Sequence, residues 1–596
     1  MGLLQRAIET YDANAALIGA YLEGKEPLAP IGHVLTRADL EITINREGKF
    51  LGARRVEKTE GKILIPVTEE SGSRTNSPAA HPLCDQLKYV SALGDREHDL
   101  YCEGLREWMN STDSHPFLRA IFTYVESETI LDDLEKKGLL DGAGKDSEKQ
   151  MVRWRVIGFE GEEPACWKNR KLFSAFVSYY SRRIADRDTG LCMVEGKEEA
   201  LAAQHPKGII PVNGNAKLIS ANDKNGFTYR GRFLQDWQAA TVGYEASQKA
   251  HNALRWLASE EGVREFSGTC IFLCWNPKGK KILKPMRGIP RDESMSARKP
   301  SDYREKLRNT LLSFRKENQL CSTDSVILAS FDAATTGRLA LTYYNEISLD
   351  TFLDRMQKWD DHCCWYGKNG ISAASLPQIV DCAFGTQRNA WLETDERVRR
   401  QHLQRLLNCK INGGIFPADV VMALTQRASM PQDYDKSVWR QIVQTACSAL
   451  QKYRYDTNPN QGGNEMAWEL DRKDRSFQYG RLLAVMERLE EDYYKKTQQE
   501  SRQTNAIKYM SEFRKRPFTV FGRVDRHLQQ AYLNRVDPWA ANRYRRLKGE
   551  IVAILSEFPE AELNRPLSDL YLMGYELQRN AFFTKKDAND TNTEEE

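Results

Sequence analysis

NDKNGFTYRGRFLQDWQAATVGYEASQKAHNALRWLA, Asn222 to Ala258, is the stretch around which the rest of the chain arranges itself. It opens as a loop of aromatics and arginines, Phe227, Tyr229, Arg230 and Arg232, punctuated by Gly226 and Gly231. It closes as a helix. Val242, Ala246, Ala250, Ala253 and Leu257 recur at three- and four-residue steps and form a narrow apolar stripe whose small side chains let a neighbouring element come close. A second stripe, Tyr244, Gln248, His251 and Arg255, is polar. Guanidinium planes and π faces on a flexible backbone suit phosphates and exposed bases. A loop that merely caps a core helix is the competing reading.

Working outward, 596 residues are too many for one core and predict two to four domains. A hydrophobic content of 41% supports burial of a core, and a net charge of +3 means that any basic surface must be local. No apolar run approaches the roughly 20 residues that span a bilayer. The first helix contains Glu9 and Asp12, unlike a signal peptide, so the expected compartment is the cytoplasm and no membrane partner is expected. The 12 cysteines lack paired metal-binding spacing, so the expectation is reduced thiols, no metal and no cofactor.

The fold class read from the pattern is α+β. Residues 1–345 are expected to form a mixed α/β region with small antiparallel sheets, 346–457 a helical connecting region and 466–584 a C-terminal four-helix bundle, with a disordered acidic tail at 585–596. Leu40, Ile42 and Ile44 alternate before the Glu47-Gly48 turn and predict a hairpin, with a third strand at Lys62 to Val67. The loop EESGSRTNSPAAHPL follows, with Arg74 and Asn76 as its reaching side chains between Ser73 and Ser77. Asn and Arg can hydrogen-bond base edges as well as phosphates, although a plain solvent loop has the same composition.

Residues 95–140 read as helical, and Val152, Trp154 and Val156 as a strand. The irregular stretch from Leu191 to Phe227 holds His205-Pro206-Lys207-Gly208 and Ile219-Ser220-Ala221-Asn222. His205 reads as a structural hydrogen-bonding residue and Lys207 as a phosphate contact. Thr269 to Trp275 reads as a buried strand. The segment from Pro277 to Lys316 carries Lys278, Lys280, Lys281 and Lys284 among its cations, interrupted by three prolines. It is expected to be a mobile loop before a short helix at Tyr303 to Phe314, either tracking a nucleic-acid backbone or simply solvated. Val326–Ser330 and Leu339–Tyr343 read as a pair of strands, and from Leu349 the chain reads as helical.

The Gly- and Asn-rich break at 458–465 reads as a linker. Tyr479, Leu482, Val485, Leu489 and Tyr493 mark the first bundle helix, with others at 503–514, 538–558 and 566–582. Arg543, Arg545 and Arg546 are among the cations expected on its exposed faces. No GxxxxGK[ST], HExxH, GxSxG or paired CxxC occurs. Asp360, Asp361 and His362 are the nearest approach to a metal cluster, and a metal-dependent nuclease built on them is the alternative function.

The ordered set of motifs resembles the large subunit of the type I-C CRISPR Cascade over essentially the whole chain. The set comprises the SGSRTNSP loop, Val-x-Trp-x-Val, Cys192 with Gly196, HPKG at 205–208, ISAN at 219–222, Phe227, the following helix, Trp275, Gly337-Arg338-Leu339, Asn412-Gly413-Gly414 and GRLLAVMERLE. The chain departs from the family pattern at Thr228-Tyr229-Arg230-Gly231, where Ser-Tyr-Gly follows the phenylalanine in the family.

The resemblance implies a non-catalytic subunit of an RNA-guided surveillance complex, assembled with crRNA, backbone subunits and a crRNA-processing subunit. It implies recognition of a protospacer-adjacent motif in double-stranded DNA, opening of that duplex and a helicase-nuclease acting in trans. Motif contacts are then expected from Ser73, Arg74, Asn76, Ser77, Lys207, Ser220, Asn222, Tyr229 and Arg230. Backbone contacts are expected from Lys278, Lys280, Lys281, Lys284, Arg543, Arg545 and Arg546. The resemblance also implies a small subunit translated from an internal start, placed here at Met466.

Overall fold

The structure, a computed structural model, describes residues 2–74, 77–140, 147–187, 189–210, 214–220, 238, 240–260, 269–289, 297, 299–333, 337–367, 370–458, 470–499 and 502–584, the side chains as far as 582. It divides into two units, one of Met1–Ile282 and Thr323–Ser348, the other of Leu283–Ser322 and Leu349–Glu596.

The first unit begins with α1 (Leu3–Ala13), whose buried Leu3, Ala7, Ile8 and Tyr11 repeat at helical steps. Strands β1 (His33–Arg37), β2 (Leu40–Asn45), β3 (Phe50–Arg55) and β4 (Lys62–Pro66) follow. β2 and β3 form the expected antiparallel hairpin. Its turn needs Gly48, which sits at φ +76°, because a Cβ there would stand 2.7 Å from the Ala120 carbonyl oxygen. β4 does not extend this hairpin but pairs with β1 in a sheet of its own, His33 opposite Pro66.

The third strand of the first sheet is β5 (Val152–Ile157), parallel to β2. A parallel neighbour needs a crossover. Helices α2 (Glu69–Ser73), α3 (Leu87–Val90), α4 (Asp95–Met109), α5 (Pro116–Glu126) and α6 (Ile130–Lys136) supply it. Central β2 is therefore buried along its first residues, Glu41 included. Arg153 donates to the Glu41 carboxylate at 2.8 Å, and Arg54 and Arg155 at 3.2 Å each. Burial pushes this carboxyl up, but the bonds from Arg153 and Arg54 outweigh it and hold the group below its usual range.

Next come α7 (Arg170–Ile184), the hairpin β6 (Thr189–Leu191) with β7 (Glu198–Ala200), and α8 (Tyr244–Ser259). The sheet of β8 (Cys270–Trp275), β9 (Ser325–Asp332) and β10 (Ala340–Ser348) is antiparallel with β9 central. Ala246, Ala250 and Ala253 of α8 are fully buried, and α1 lies against this helix as the small-residue stripe predicts. The polar stripe is buried too: Gln248 and His251 face inward.

The second unit holds α9 (Pro300–Glu317), α10 (Leu349–His362), the hairpin β11 (Cys364–Gly367) with β12 (Gly370–Ala373), α11 (Leu376–Phe384) and the hairpin β13 (Thr386–Arg388) with β14 (Trp391–Glu393). It continues with α12 (Glu396–Asn412), α13 (Ala418–Ala428) and α14 (Lys436–Thr457). Two expectations are corrected here. α9 is an 18-residue helix starting at Pro300, because proline in the first turn sacrifices no helical hydrogen bond. The two hairpins interrupt a region read as almost entirely helical.

The C-terminal helices are α15 (Arg475–Lys496), α16 (Asn505–Lys508), α17 (Met510–Lys515), α18 (Pro517–Ala531), α19 (Pro538–Leu555), α20 (Glu560–Leu563) and α21 (Leu570–Thr584). α18 is an addition to the predicted set, and again it starts at a proline, Pro517. The linker from 459, Met466 and the acidic tail lie outside the described residues. Buried Glu487 of α15 accepts from Arg440 of α14 at 3.0 Å, from Tyr575 at 2.6 Å and from Arg579 of α21. Arg440 also donates to Glu576 at 3.1 Å, so one ionic network ties α14, α15 and α21.

α15 and α21 meet backbone to backbone. A Cβ on Gly480 would stand 1.9 Å from the Tyr571 carbonyl oxygen, and one on Gly574 2.1 Å from that of Phe477. Gly480→Ala is therefore expected to destabilise this region by about 1–3 kcal/mol through overpacking. Gly522→Ala, inside α18 with nothing within 4 Å, is expected to stabilise it by about 0.5–1 kcal/mol. Urea denaturation of the two variants checks both signs, and equal midpoints would contradict the packing described.

Candidate nucleic-acid interface

The segment holding Ser73 and Arg74 is fixed from its base. Thr68 caps α2 by accepting from the Ser71 amide at 3.1 Å, and its own amide donates back to the Ser71 hydroxyl at 3.0 Å. Arg74 then turns inward. Its two terminal nitrogens donate to the fully buried Asp85 carboxylate at 2.8 and 2.6 Å, and one also donates to the Ala79 carbonyl at 2.8 Å. The guanidinium lies over the Tyr89 ring, 4.5 Å from its centroid. Asp85 further accepts from the amides of His81 and Gln86, both at 2.7 Å. This corrects the reading of Arg74 as a reaching side chain: it closes the loop from 74 to 79 and has no free fork for a base edge. Asn76, Asn222, Tyr229 and Arg230 lie outside the described residues. Ser77 is exposed and Ser220 half-buried.

Behind the loop is a cleft of about 690 Å³ whose lining includes Lys62, Arg74, Lys207, Arg255 and Trp256. Lys207 and Lys217 are brought side by side by an antiparallel backbone bridge. Lys207 Nζ donates to the Arg74 carbonyl at 3.3 Å. Lys217 Nζ reaches the Ser73 hydroxyl at 3.2 Å. Arg255 Nε donates to the Lys207 carbonyl at 3.0 Å, and Nη1 to the Asn252 side-chain oxygen at 3.1 Å. Asn252 in turn donates to the Ala29 and Pro30 carbonyls, which fixes the helix face that carries Arg255.

None of Lys207, Lys217 and Arg255 has a carboxylate partner among the described residues. The electrostatics follow. Burial, then the neighbouring Arg74 and Arg255, pull Lys207 below its ordinary value. Burial, then Lys207, do the same to Lys217, against the smaller opposing pull of Glu69. Burial alone brings Arg255 down to about 10. The cluster is partly desolvated and mutually repelling, with no carboxylate in ion-pair contact among the described residues. A phosphate relieves both costs. The sequence singled out Lys207 but not Lys217. Arg255 stood in the polar stripe of α8, and its position there is the signal that points to it.

The remaining predicted cations divide between the units. Lys280 pairs with buried Asp324 at 2.7 Å and Lys278 approaches it at 3.7 Å, while Lys281 is exposed. Those two lysines are thereby corrected from free backbone contacts to partners of a buried acid. Lys284, in the second unit, is half-buried. Arg543 is corrected likewise: it pairs with Asp492 and lies between the Trp539 and Phe582 rings. Arg546 pairs with Glu550 at 3.0 Å on the surface, and Arg545 is exposed with only Asn542 as partner.

The nuclease alternative loses its ligands. Asp360 is buried against Lys410 at 3.6 Å and accepts from the Ile289 amide at 3.2 Å. Asp361 accepts from Arg304 at 2.6 Å, and His362 stacks on Tyr455 at 3.5 Å. Each carboxylate is already neutralised by its own cation, and no group of three potential metal ligands occurs among the described residues.

The family model for CRISPR-associated protein (Cas_Csd1) matches residues 9–583. The chain belongs to the Cas_Csd1 family. That bears out the resemblance read from the ordered motifs and makes the protein a CRISPR-associated Cascade subunit. No curated protein matches it. Among the described residues of this Cas_Csd1 chain no helix is long and apolar enough to cross a membrane.

The first unit also buries His33, His81, His205 and His251, of which His81 lines the cleft. His33, His81 and His205 are lowered by burial from 6.5 to about 4, and His251 to about 3. His205 is bonded to the Ser247 hydroxyl at 2.9 Å, as a structural role requires. With folded values below the unfolded one, their stabilisation is complete above pH 6.5 and is lost as pH falls toward 4. The slope is about 1.4 kcal/mol per pH unit for each proton that only the unfolded chain binds. Glu490 in the second unit, raised by burial to about 7, works in the opposite sense, as do Glu69, Glu199, Glu260, Asp381 and Glu576, which burial raises less far; the four histidines carry the larger part of the change between pH 5 and 7.5. Denaturation midpoints are expected to be lower at pH 5 than at pH 7.5; equal midpoints would contradict this.

Proposed function

We propose that this Cas_Csd1 protein is the non-catalytic large subunit of a type I-C Cascade, and that the first unit engages target duplex DNA at a protospacer-adjacent motif. The observation that carries the proposal is the trio Lys207, Lys217 and Arg255, none of them ion-paired among the described residues: Lys207 and Arg255 line the cleft, and Lys217 stands next to Lys207 and Ser73. Backbone phosphates dominate nucleic-acid affinity, and cations already freed of protein counter-charge are available to them. In this reading Lys207, Lys217 and Arg255 hold the backbone and so fix the register of the duplex. Ser73, Asn76, Ser77, Ser220, Asn222, Tyr229 and Arg230 then supply groove contacts, with Arg74 as the staple that holds the loop.

Sequence along the target is read by crRNA pairing within the complex of backbone and crRNA-processing subunits. The exposed cations of the C-terminal helices, Arg545 among them, and Lys281 in the first unit follow the opened strands. Cutting belongs to a helicase-nuclease in trans. A small subunit starting at Met466 would carry α15 to α21 but not Arg440, leaving Glu487 with Arg579 as its cation.

Three outcomes are expected. Assembled complex carrying Lys207→Ala with Lys217→Ala should bind target duplex more weakly, its slope of log affinity against log salt shallower by about two. Scrambling the flanking motif should weaken binding by wild-type complex, and Asn76→Ala should cost roughly 1–3 kcal/mol on the correct motif only. Binding by both variants at wild-type strength with an unchanged slope would refute the site. Replacing the Met466 codon by leucine should abolish a bundle-sized species in mass spectra of the purified complex while full-length chain persists.

A further inference from the structure

Between Met510 and Leu555 the chain carries ten Lys and Arg side chains against four acids, Glu512, Asp525, Asp537 and Glu550. The acids are all taken: Glu512 by Arg523, Asp525 by Lys548, Asp537 by Lys496 and Glu550 by Arg546. Lys515, Arg516, Arg526, Arg535 and Arg545 are exposed and have no carboxylate partner among the described residues. Two large aromatics are left open in these same helices, Trp539 at 58% exposure and Phe518 at 52%. Elsewhere in the region Phe513, Tyr532 and Tyr544 are buried and Phe521 is half-buried.

Trp539 is open but not loose. The Arg543 guanidinium lies 4.7 Å from its ring centroid, and Arg543 is itself held by Asp492 and by the Phe582 ring 5.2 Å away. A cation set over one face of an indole steadies the ring, and the exposure of Trp539 leaves apolar surface in water. Along the same side of α19 follow Asn542, Arg546 and Gly549, all exposed, three, seven and ten residues on. Arg546 is about 10 Å along the helix axis from Trp539. Its surface pair with Glu550 contributes little and is readily exchanged for a phosphate. At Gly549 a Cβ would meet nothing within 4 Å, so the helix surface is bare there.

We infer that Trp539 is a stacking platform for an unpaired base of single-stranded nucleic acid, with Arg545 and Arg546 taking the flanking phosphates. The inference rests on the proposed role of these helices along an opened strand and adds what that role lacks, a site for the base itself. An apolar protein partner fits the face poorly, because the ring shares its helix with Arg543, Arg545 and Arg546, of which Arg545 has no carboxylate partner among the described residues and Arg546 only a surface pair. A duplex fits it poorly as well, because its bases offer no free π face. An unpaired strand satisfies both halves of the surface, the ring by stacking and the cations by phosphates.

The test is binding of the full chain to fluorescein-labelled single-stranded DNA, and to RNA of the same length, by anisotropy across a salt series. Trp539→Ala is expected to weaken binding about tenfold with the salt slope unchanged, the loss of one stacked base. Trp539→Phe should retain most of the affinity, and thermal melting of each variant should match wild type, since Trp539 is largely solvated. Arg545→Gln with Arg546→Gln should instead reduce the slope. If Trp539→Ala binds within twofold of wild type while the arginine variant is weakened, the stacking site is overturned and the strand path stands. If wild type binds neither strand, the proposed role and this inference fall together. Which of the two strands binds more tightly identifies the natural ligand chemistry.

Discussion

A charge taken out of water must find an opposite charge or a full set of hydrogen bonds, and this constraint organises both units of the protein. Glu41 is buried at the centre of the first sheet because three arginines close on it. Asp85 is buried because Arg74 and two amides reach it. In the second unit Glu487 and Glu576 share Arg440, and Asp360 meets Lys410. Against so consistent a rule the exceptions identify themselves. In the second unit Arg481 is buried on neutral oxygens from Gln478, Gln578 and Leu470, one residue by itself; Lys207, Lys217 and Arg255 are partly desolvated, bonded to neutral oxygens alone, and clustered, two of them lining the cleft and the third beside Lys207.

The same rule separates cations that build the protein from cations that are free to bind. Arg74, Lys280 and Arg543 attract attention in a sequence as positive charges beside polar or aromatic neighbours. In the structure they are fastened to Asp85, Asp324 and Asp492. Removing Arg74 would leave buried Asp85 without its cation, whereas Asp492 keeps Arg488 at 2.9 Å and Asp324 keeps Lys278 at 3.7 Å, so loss of function in an Arg74 variant would report on folding rather than on contact with a ligand. Lys207, Lys217 and Arg545 carry no such ambiguity.

Much of the local structure was legible in the sequence. Alternation gave β2 and β5 away, the alanine stripe of α8 predicted close helix packing, and the apolar run at Thr269 to Trp275 predicted a buried strand. Pairing was not legible: that β5 lies parallel to β2 and that β4 pairs with β1 depend on contacts across more than a hundred and about thirty residues respectively. Pro300 misled, because it read as an interruption of a loop and acts as a helix start. The site was half legible for a related reason. Residue type picks out Lys207, but only the fold shows which carboxylates are near, and so that Arg74 is occupied while Lys217 and Arg255 are not. Membership of the Cas_Csd1 family followed from the order of many weak motifs rather than from any one of them.

Target DNA is proposed to be held at the cleft of the first unit, on Lys207, Arg255 and the adjoining Lys217. Photo-crosslinking the assembled complex to a target duplex substituted beside the flanking motif, followed by mass-spectrometric mapping of the attached peptides, addresses this placement directly. The account predicts crosslinked peptides containing Lys207, Lys217 or Arg255, and their disappearance when the flanking motif is scrambled. Crosslinks confined to other segments, with the cleft peptides unmodified on a saturated complex, would contradict it.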